Sequence, residues 1–255
     1  MRAIMPQLPA LQVVVPLIGA LLSALLRRGT TAWALALLVG WTMPLIAVSL
    51  LVQVLASGPI SYHLGGWAPP WGIEYRVDLL NAFILVLVSG VSAIMMPFAR
   101  RSVAAEVDAD KQAWFYSMYL LCLAGLLGIT ITGDAFNLFV FLEISSLSSY
   151  VLIALGKDRR ALVAAYQYLI MGTIGATFYV IGVGLLYLVT GSLNLLDIAA
   201  RLGPAAAETS RPVLAALAFL TVGISLKLAL FPLHVWLPNA YAYAPSFATA
   251  FLAAT

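Results

Sequence analysis

The chain has 255 residues, of which 63% are hydrophobic and 9% charged, with a net charge of +3. A soluble domain carries roughly 25% charged residues; no soluble fold has interior enough to hide so much apolar surface, so the class is an all-α polytopic membrane protein. The basic residues form no clustered face of the kind nucleic acid requires, and the single cysteine, Cys122, excludes an internal disulfide framework.

Spanning the hydrocarbon core takes about 20 apolar residues. The first such run, 8–26, has a superficial signal-peptide look. At about 19 residues it is longer than an h-region of roughly 7–15, and it ends in Arg27-Arg28, so it reads as the first membrane helix. Further spans are expected at 32–56, 79–99, 113–132, 136–155, 164–189 and 212–231. An eighth starts near Pro245, and Phe247–Thr255 supplies about half of a spanning helix. No Gly/Ser linker divides the chain, so one membrane domain is expected, with an end that looks premature. Between the second and third spans, GGWAPPWG (Gly65–Gly72) offers two tryptophans suited to interface depth. GSLNLLDIAARLG (Gly191–Gly203) is either a short amphipathic helix on the surface or a plain connector.

Loop arginines and lysines set orientation. One set of alternate loops holds Arg27, Arg28, Arg100, Arg101, Lys111, Lys157, Arg159 and Arg160; the other, with the N-terminus, holds Arg2, Arg76, Arg201 and Arg211. The expectation is a multi-pass protein of the inner cell membrane with its N-terminus outside and the richer set in the cytoplasm.

An ionisable side chain at membrane depth costs several kcal/mol, so each is a functional candidate. Glu143 lies about seven residues into the fifth span, roughly 10 Å deep at 1.5 Å per residue. Ser146 and Tyr150 follow at i+3 and i+7 on its face, and Ser145, Ser148 and Ser149 add small hydroxyls that let helices approach closely. A carboxyl held between desolvation, which favours its neutral form, and a nearby cation, which favours its charged form, can gain and lose a proton. The other reading is a permanently protonated structural acid. Lys227, in TVGISLKLALFPLHVWLP, is preceded by fifteen residues of apolar helix. It is either a deep partner for Glu143 or an anchor that snorkels to the interface. At 4 Å and an effective dielectric of about 20 such a pair interacts by about 4 kcal/mol, enough to hold or release a proton.

Pro232 and Pro238 each remove a backbone donor just beyond Lys227. Broken helices at membrane depth occur where the freed backbone is buried in protein or lines a wet cavity. The seventh span is therefore expected to be discontinuous, with an aqueous route beside Lys227. His234 stands in the break, as a proton relay or a satisfied structural residue. Asp134, in TGDAFN, is a supporting polar group or simply the cap of the fifth span, and Asp78 has the same cap reading. No HExxH, CxxC, Walker A loop, dinucleotide glycine pattern or haem-spaced histidine pair is present, so no metal or cofactor is expected on this chain.

GDAFNLFVFLEISSLSSYVLIAL, followed two spans later by SLKLALFPLHVWLPNAYAYAPS, resembles the antiporter-like proton-channel subunits. These are shared by respiratory complex I, membrane-bound hydrogenases and Mrp-type multisubunit sodium/proton antiporters, and NAYAYAPS looks most similar to the D-type antiporter subunits. The resemblance implies a fold of about fourteen helices with two inverted five-helix repeats. This chain would be the first half: residues 1–112 carry the three leading helices, and 113–255 the first, incomplete proton-translocating repeat. By position, Glu143 matches the family's glutamate on its fifth helix, Lys227 the lysine on its seventh, and His234 the histidine of the break. A further family lysine or histidine on the eighth helix would fall a few residues past Thr255. The resemblance implies a proton-translocating subunit of a cation/proton antiporter, with other membrane subunits, protons and sodium as partners. The alternatives are the same channel in a complex I-like NADH:quinone oxidoreductase or hydrogenase, a non-transporting half-length scaffold, and a channel-like partner for inorganic-carbon uptake.

Overall fold

The computed structural model describes residues 5–26, 28–203 and 210–255. Arg2 and Arg27, both counted in the charge bias, lie outside the described residues. Each expected span is a helix: α1 Leu8–Leu25, α2 Gly29–Ser57, α3 Leu79–Glu106, α4 Gln112–Ile131, α5 Ala135–Ala154 and α6 Arg159–Thr190. These six are long and apolar enough to cross a membrane. The segment expected at 212–231 is a shorter helix, α8 Arg211–Lys227, followed after a break by α9 Trp236–Tyr243 and α10 Ser246–Ala254. The GSLNLLDIAARLG segment contains the helix of its two readings, α7 Leu195–Arg201.

Two boundaries differ from expectation for a physical reason. Arg100 and Arg101 sit on α3, which runs on to Glu106, rather than in a loop. The Arg100 guanidinium lies 5.3 Å from the Trp33 ring of α2, so the long side chain leans on an aromatic face while its backbone stays helical. Likewise α6 begins at Arg159, because Asp158 caps it by accepting from the Arg160 amide at 2.9 Å. The carboxylate at the positive helix end satisfies a donor that would otherwise have no intrahelical partner.

The cap readings of Asp78 and Asp134 match the geometry. Asp78 accepts from the Asn81 amide at 2.9 Å in a reciprocal capping box, and Asp134 accepts from the Asn137 amide at 2.7 Å. Between α2 and α3, the described residues include a two-stranded antiparallel hairpin, β1 Ile60–His63 with β2 Glu74–Val77, paired from Ile60↔Val77 to His63↔Glu74.

Helix α4 is the most buried of the six spans and packs against α1, α2, α3 and α5. It is apolar nearly all round, as suits a largely buried helix, with Trp114 its exposed large side chain. Gly125 lets α5 come close: a Cβ there would stand 2.6 Å from the Ser145 nitrogen. On the far side of α5, α6 packs along α8, where a Cβ at Gly223 would stand 2.8 Å from the Tyr179 nitrogen. Small residues at these contacts are how helices gain dispersion contacts where lipid supplies no hydrophobic drive. The consequence is positional: α5 is clamped between α4 and α6, with the end of α8 beside its middle.

Candidate functional site

Lys227 is the last residue of α8, where a cation is favoured by the negative end of the helix dipole. Its Nζ donates to Glu143 Oε1 at 2.9 Å and to Ser146 Oγ at 3.0 Å. The lysine side chain is 11% exposed and the glutamate 23%, so this is a largely desolvated ion pair. Glu143 and Ser146 reach the same ammonium because they are one turn apart on α5.

The helix ends after Lys227 in a specific way. Ala229 adopts a left-handed backbone with φ 51°. The Leu230 amide donates to the Ser225 carbonyl at 3.0 Å and the Ala229 amide to Leu226 at 3.3 Å. This is the Schellman arrangement, with alanine at the position where glycine is usual. The Trp236 indole N–H reaches back from α9 and donates to the same Leu226 carbonyl at 3.1 Å. The Ser225 and Leu226 carbonyls at the break are therefore held by protein.

Trp236 stacks on Tyr168 of α6 with ring centroids 3.9 Å apart, and Tyr168 meets Tyr150 edge-on at 4.5 Å. This aromatic series ties α9, α6 and α5 together beneath the ion pair. A cavity of about 350 Å³ opens beside it, lined among others by Ser145, Ser146, Ser149, Tyr168, Lys227 and Trp236. Hydroxyls and the ammonium give water several hydrogen-bond partners there.

The structure thus brings Glu143, Ser146 and Lys227 together. Tyr150 lies on the same helix but its hydroxyl is buried without a hydrogen-bond partner, against Gly172. His234 lies in the break, outside the cavity lining. Its ring faces Phe231 with centroids 5.5 Å apart, and its Nδ1 is buried without a partner. Of the two prolines expected to break the helix, Pro232 lies in the break, whereas Pro238 occupies the first turn of α9, where a missing N–H costs nothing. Asp134 acts at the far end of α5 as its cap.

Two features escape a reading of the sequence. Glu74 is buried, accepting from the Ser61 hydroxyl and from Asn194 Nδ2 at 2.8 Å, and its carbonyl accepts from the Gly133 amide at 2.8 Å. The alternation in IEYRV, bounded by a Gly/Pro-rich turn, is the available signal for the hairpin that places it. The second is an amide pair, Asn239 Nδ2 to Gln167 Oε1 at 3.1 Å, between α9 and α6. No group of three or more His, Cys, Asp or Glu side chains placed to hold a metal occurs among the described residues.

Residues 132–255 match the family model described as the transmembrane region of NADH:quinone oxidoreductase and Mrp antiporters. This part of the chain, which carries the whole ion-pair site, is similar to the antiporter-like membrane subunits. The chain is 44% identical over 250 residues to NADH-quinone oxidoreductase subunit N of Desulforudis audaxviator, covering 97% of this chain and 49% of the relative. It is 35% identical over 199 residues to the D-type subunit of the Na(+)/H(+) antiporter of Alkalihalophilus pseudofirmus, covering 78% of this chain and 39% of the relative. Its fold matches a chain of the membrane-bound sulfane sulfur reductase, an archaeal respiratory membrane complex, with TM-score 0.87 and 33% identity over 97% of this chain and 52% of that one. The chain spans about half the length, or less, of the curated relatives it matches.

Proposed function

We propose that this chain forms a proton-translocating half-channel of a multisubunit antiporter-like membrane assembly, with the Lys227–Glu143 pair as its exchangeable site. The observation that carries this is the 2.9 Å pair, whose lysine lines a cavity shared with the Ser145, Ser146 and Ser149 side chains. Protonated Lys227 is held by the Glu143 carboxylate and the Ser146 hydroxyl. When Glu143 is neutralised or drawn away, the ammonium loses its counter-charge in a desolvated setting and gives its proton to water in the cavity. Residues 113–255 act as the translocating unit and 1–112 as its packing partner. Lys111, Lys157, Arg159 and Arg160 face the cytoplasm, with the N-terminus outside. His234 relays protons within the break.

In the antiporter reading, the partners are other membrane subunits, and a cation such as sodium is the driver. A second reading is favoured by the 44% identity to a subunit of a quinone oxidoreductase against 35% to one of an antiporter. There the same channel is driven by redox chemistry on other chains. Proteoliposomes holding the full assembly test the shared core: Glu143→Gln and Lys227→Ala each abolish ΔpH-driven proton flux. Wild-type flux in both variants would overturn the proposal.

A further inference from the structure

Helices α6 and α9 face one another across a groove whose chemistry changes steadily along its length. On α6, Arg160, Gln167 and then Ile170 and Met171 fall on one ridge at helical spacing. On α9, Tyr243, Asn239 and Trp236 form the opposite wall. At the basic end is a chamber of about 220 Å³ lined by Arg160, Gln167, Asn239 and Tyr243, among others. Below it lies one of about 360 Å³ with an almost wholly apolar lining that includes Ile170, Met171, Val235 and Trp236. Both chambers are lined by Gln167 and Asn239, which join at 3.1 Å.

We propose that this groove binds an anionic phospholipid, with the phosphate at Arg160, the ester region at the Gln167–Asn239 pair and an acyl chain along Ile170, Met171 and Val235. Arg160 is exposed, its guanidinium 5.6 Å from the Tyr243 ring, and none of the ion pairs among the described residues includes it. An arginine held by an aromatic face presents a flat fork of donors that matches a phosphate. Arg159 adjoins it at the start of α6, where the nearest acid in sequence, Asp158, is engaged as the helix cap, so the two arginines at this rim favour an anionic headgroup. Gln167 lies seven residues along α6 from Arg160, about 10 Å deeper, near the level where headgroup gives way to hydrocarbon. Exposed amides there need polar partners, which glycerol esters supply, whereas the deeper chamber gives water almost none and suits an acyl chain. The acyl chain would lie against Trp236, whose indole holds the Leu226 carbonyl next to Lys227, so the lipid would buttress the broken segment.

The proposal does not depend on proton movement through Lys227. Native mass spectrometry of the intact assembly, titrated with dioleoylphosphatidylglycerol or dioleoylphosphatidylcholine, tests it. The expected result is at least fivefold stronger retention of the anionic dioleoylphosphatidylglycerol, brought to parity in Arg160→Gln and kept in Arg160→Lys. Ile170→Trp, which fills the deep chamber, is expected to lose retention of both lipids, and excess inorganic phosphate to displace neither. Equal retention of the two lipids by the wild type would overturn the proposal, as would selectivity unchanged in both Arg160→Gln and Ile170→Trp. Displacement by phosphate alone would reduce the groove to an anion site and overturn it as well. So would a neighbouring helix seated over the groove in the intact assembly, with neither lipid retained.

Discussion

Glu143 and Glu74 are both withdrawn from water, and they are held in opposite ways. Glu143 faces a cation at 2.9 Å, and that cation, Lys227, lines a cavity together with Ser145, Ser146 and Ser149. Glu74 is 4% exposed and is held by neutral donors, the Ser61 hydroxyl and the Asn194 side-chain amide. Around it the backbone is knotted: Gly133 donates to the Glu74 carbonyl, Leu195 donates to Gly133, and Ala135 donates to Leu193. The hairpin, the α4–α5 turn and the α6–α7 connection are tied together there. Burial therefore does not by itself make a carboxyl a transport group. What separates the two is a cation in direct contact and a cavity beside that cation.

The largest expected effects break the first member of this comparison. Lys227→Met removes the cation and leaves the Glu143 carboxylate without its counter-charge. Proton flux in the full assembly is expected to fall at least about tenfold, an effect of roughly 1.4 kcal/mol or more on the barrier. Glu143→Gln keeps the shape and removes the charge, with a loss of the same order. Glu74→Ala should do the reverse. It strands the donors of Ser61 and Asn194, at a cost of about 1–3 kcal/mol in stability. Flux per folded molecule should remain within about twofold of wild type, since Glu74 contacts no cation directly, meeting His63 only through the Ser61 hydroxyl, and lies away from the cavity beside Lys227. A thermal-shift assay read beside the flux assay separates the two. Equal flux losses in Glu143→Gln and Glu74→Ala, with the fold intact, would dissolve the distinction.

This contrast also marks what the sequence can reveal. The spans are legible because length and apolar content alone define them, and Glu143 and Lys227 stand out as charges inside them. The resemblance matches both residues to family positions, but that they meet at 2.9 Å is seen only in the structure, since no local pattern specifies a contact 84 residues apart. Hydropathy places Arg100 and Arg101 in a loop because charge ends an apolar run; it is blind to the cation–aromatic contact with Trp33. Glu74 is missed for the opposite reason. It sits in a segment that reads as a polar loop, and only the pairing of two four-residue strands buries it. Pro238 looks like a second break, yet three residues of register decide whether a proline interrupts a helix or starts one.

A smaller effect concerns the turn that ends α8. Ala229 is left-handed at φ 51°, a conformation costing an L-residue roughly 1–2 kcal/mol. Ala229→Gly removes that strain but adds backbone entropy to the unfolded chain, about 0.5–1 kcal/mol. The net gain is expected to be under about 1 kcal/mol in a thermal-shift assay, with the Lys227 flux unchanged. Ala229→Val should destabilise, because a β-branched side chain fits this region poorly. A stable Ala229→Val with wild-type flux would show that this turn does not position the lysine.

The smallest effect belongs to a carboxylate at the surface, the far limit of the same comparison. Asp108 pairs with Lys111 at 2.8 Å with both side chains about half exposed, 47% and 49%. The hydrogen bond from Lys111 holds the Asp108 carboxyl below its usual range, and the lysine charge adds to that. Because the folded value is depressed, the pair's contribution is present above the unfolded value near 3.9 and fades as pH falls through the lower folded value. Asp108→Asn should therefore shift the melting temperature by less than about 2 °C at pH 7, less still in high salt, and by nothing measurable below about pH 3. Solvent screens this pair, whereas desolvation amplifies the one between Lys227 and Glu143, although their N···O distances differ by only a tenth of an ångström. If Asp108→Asn changed flux as much as Glu143→Gln, depth in the bundle would not be what gives the Glu143 charge its role.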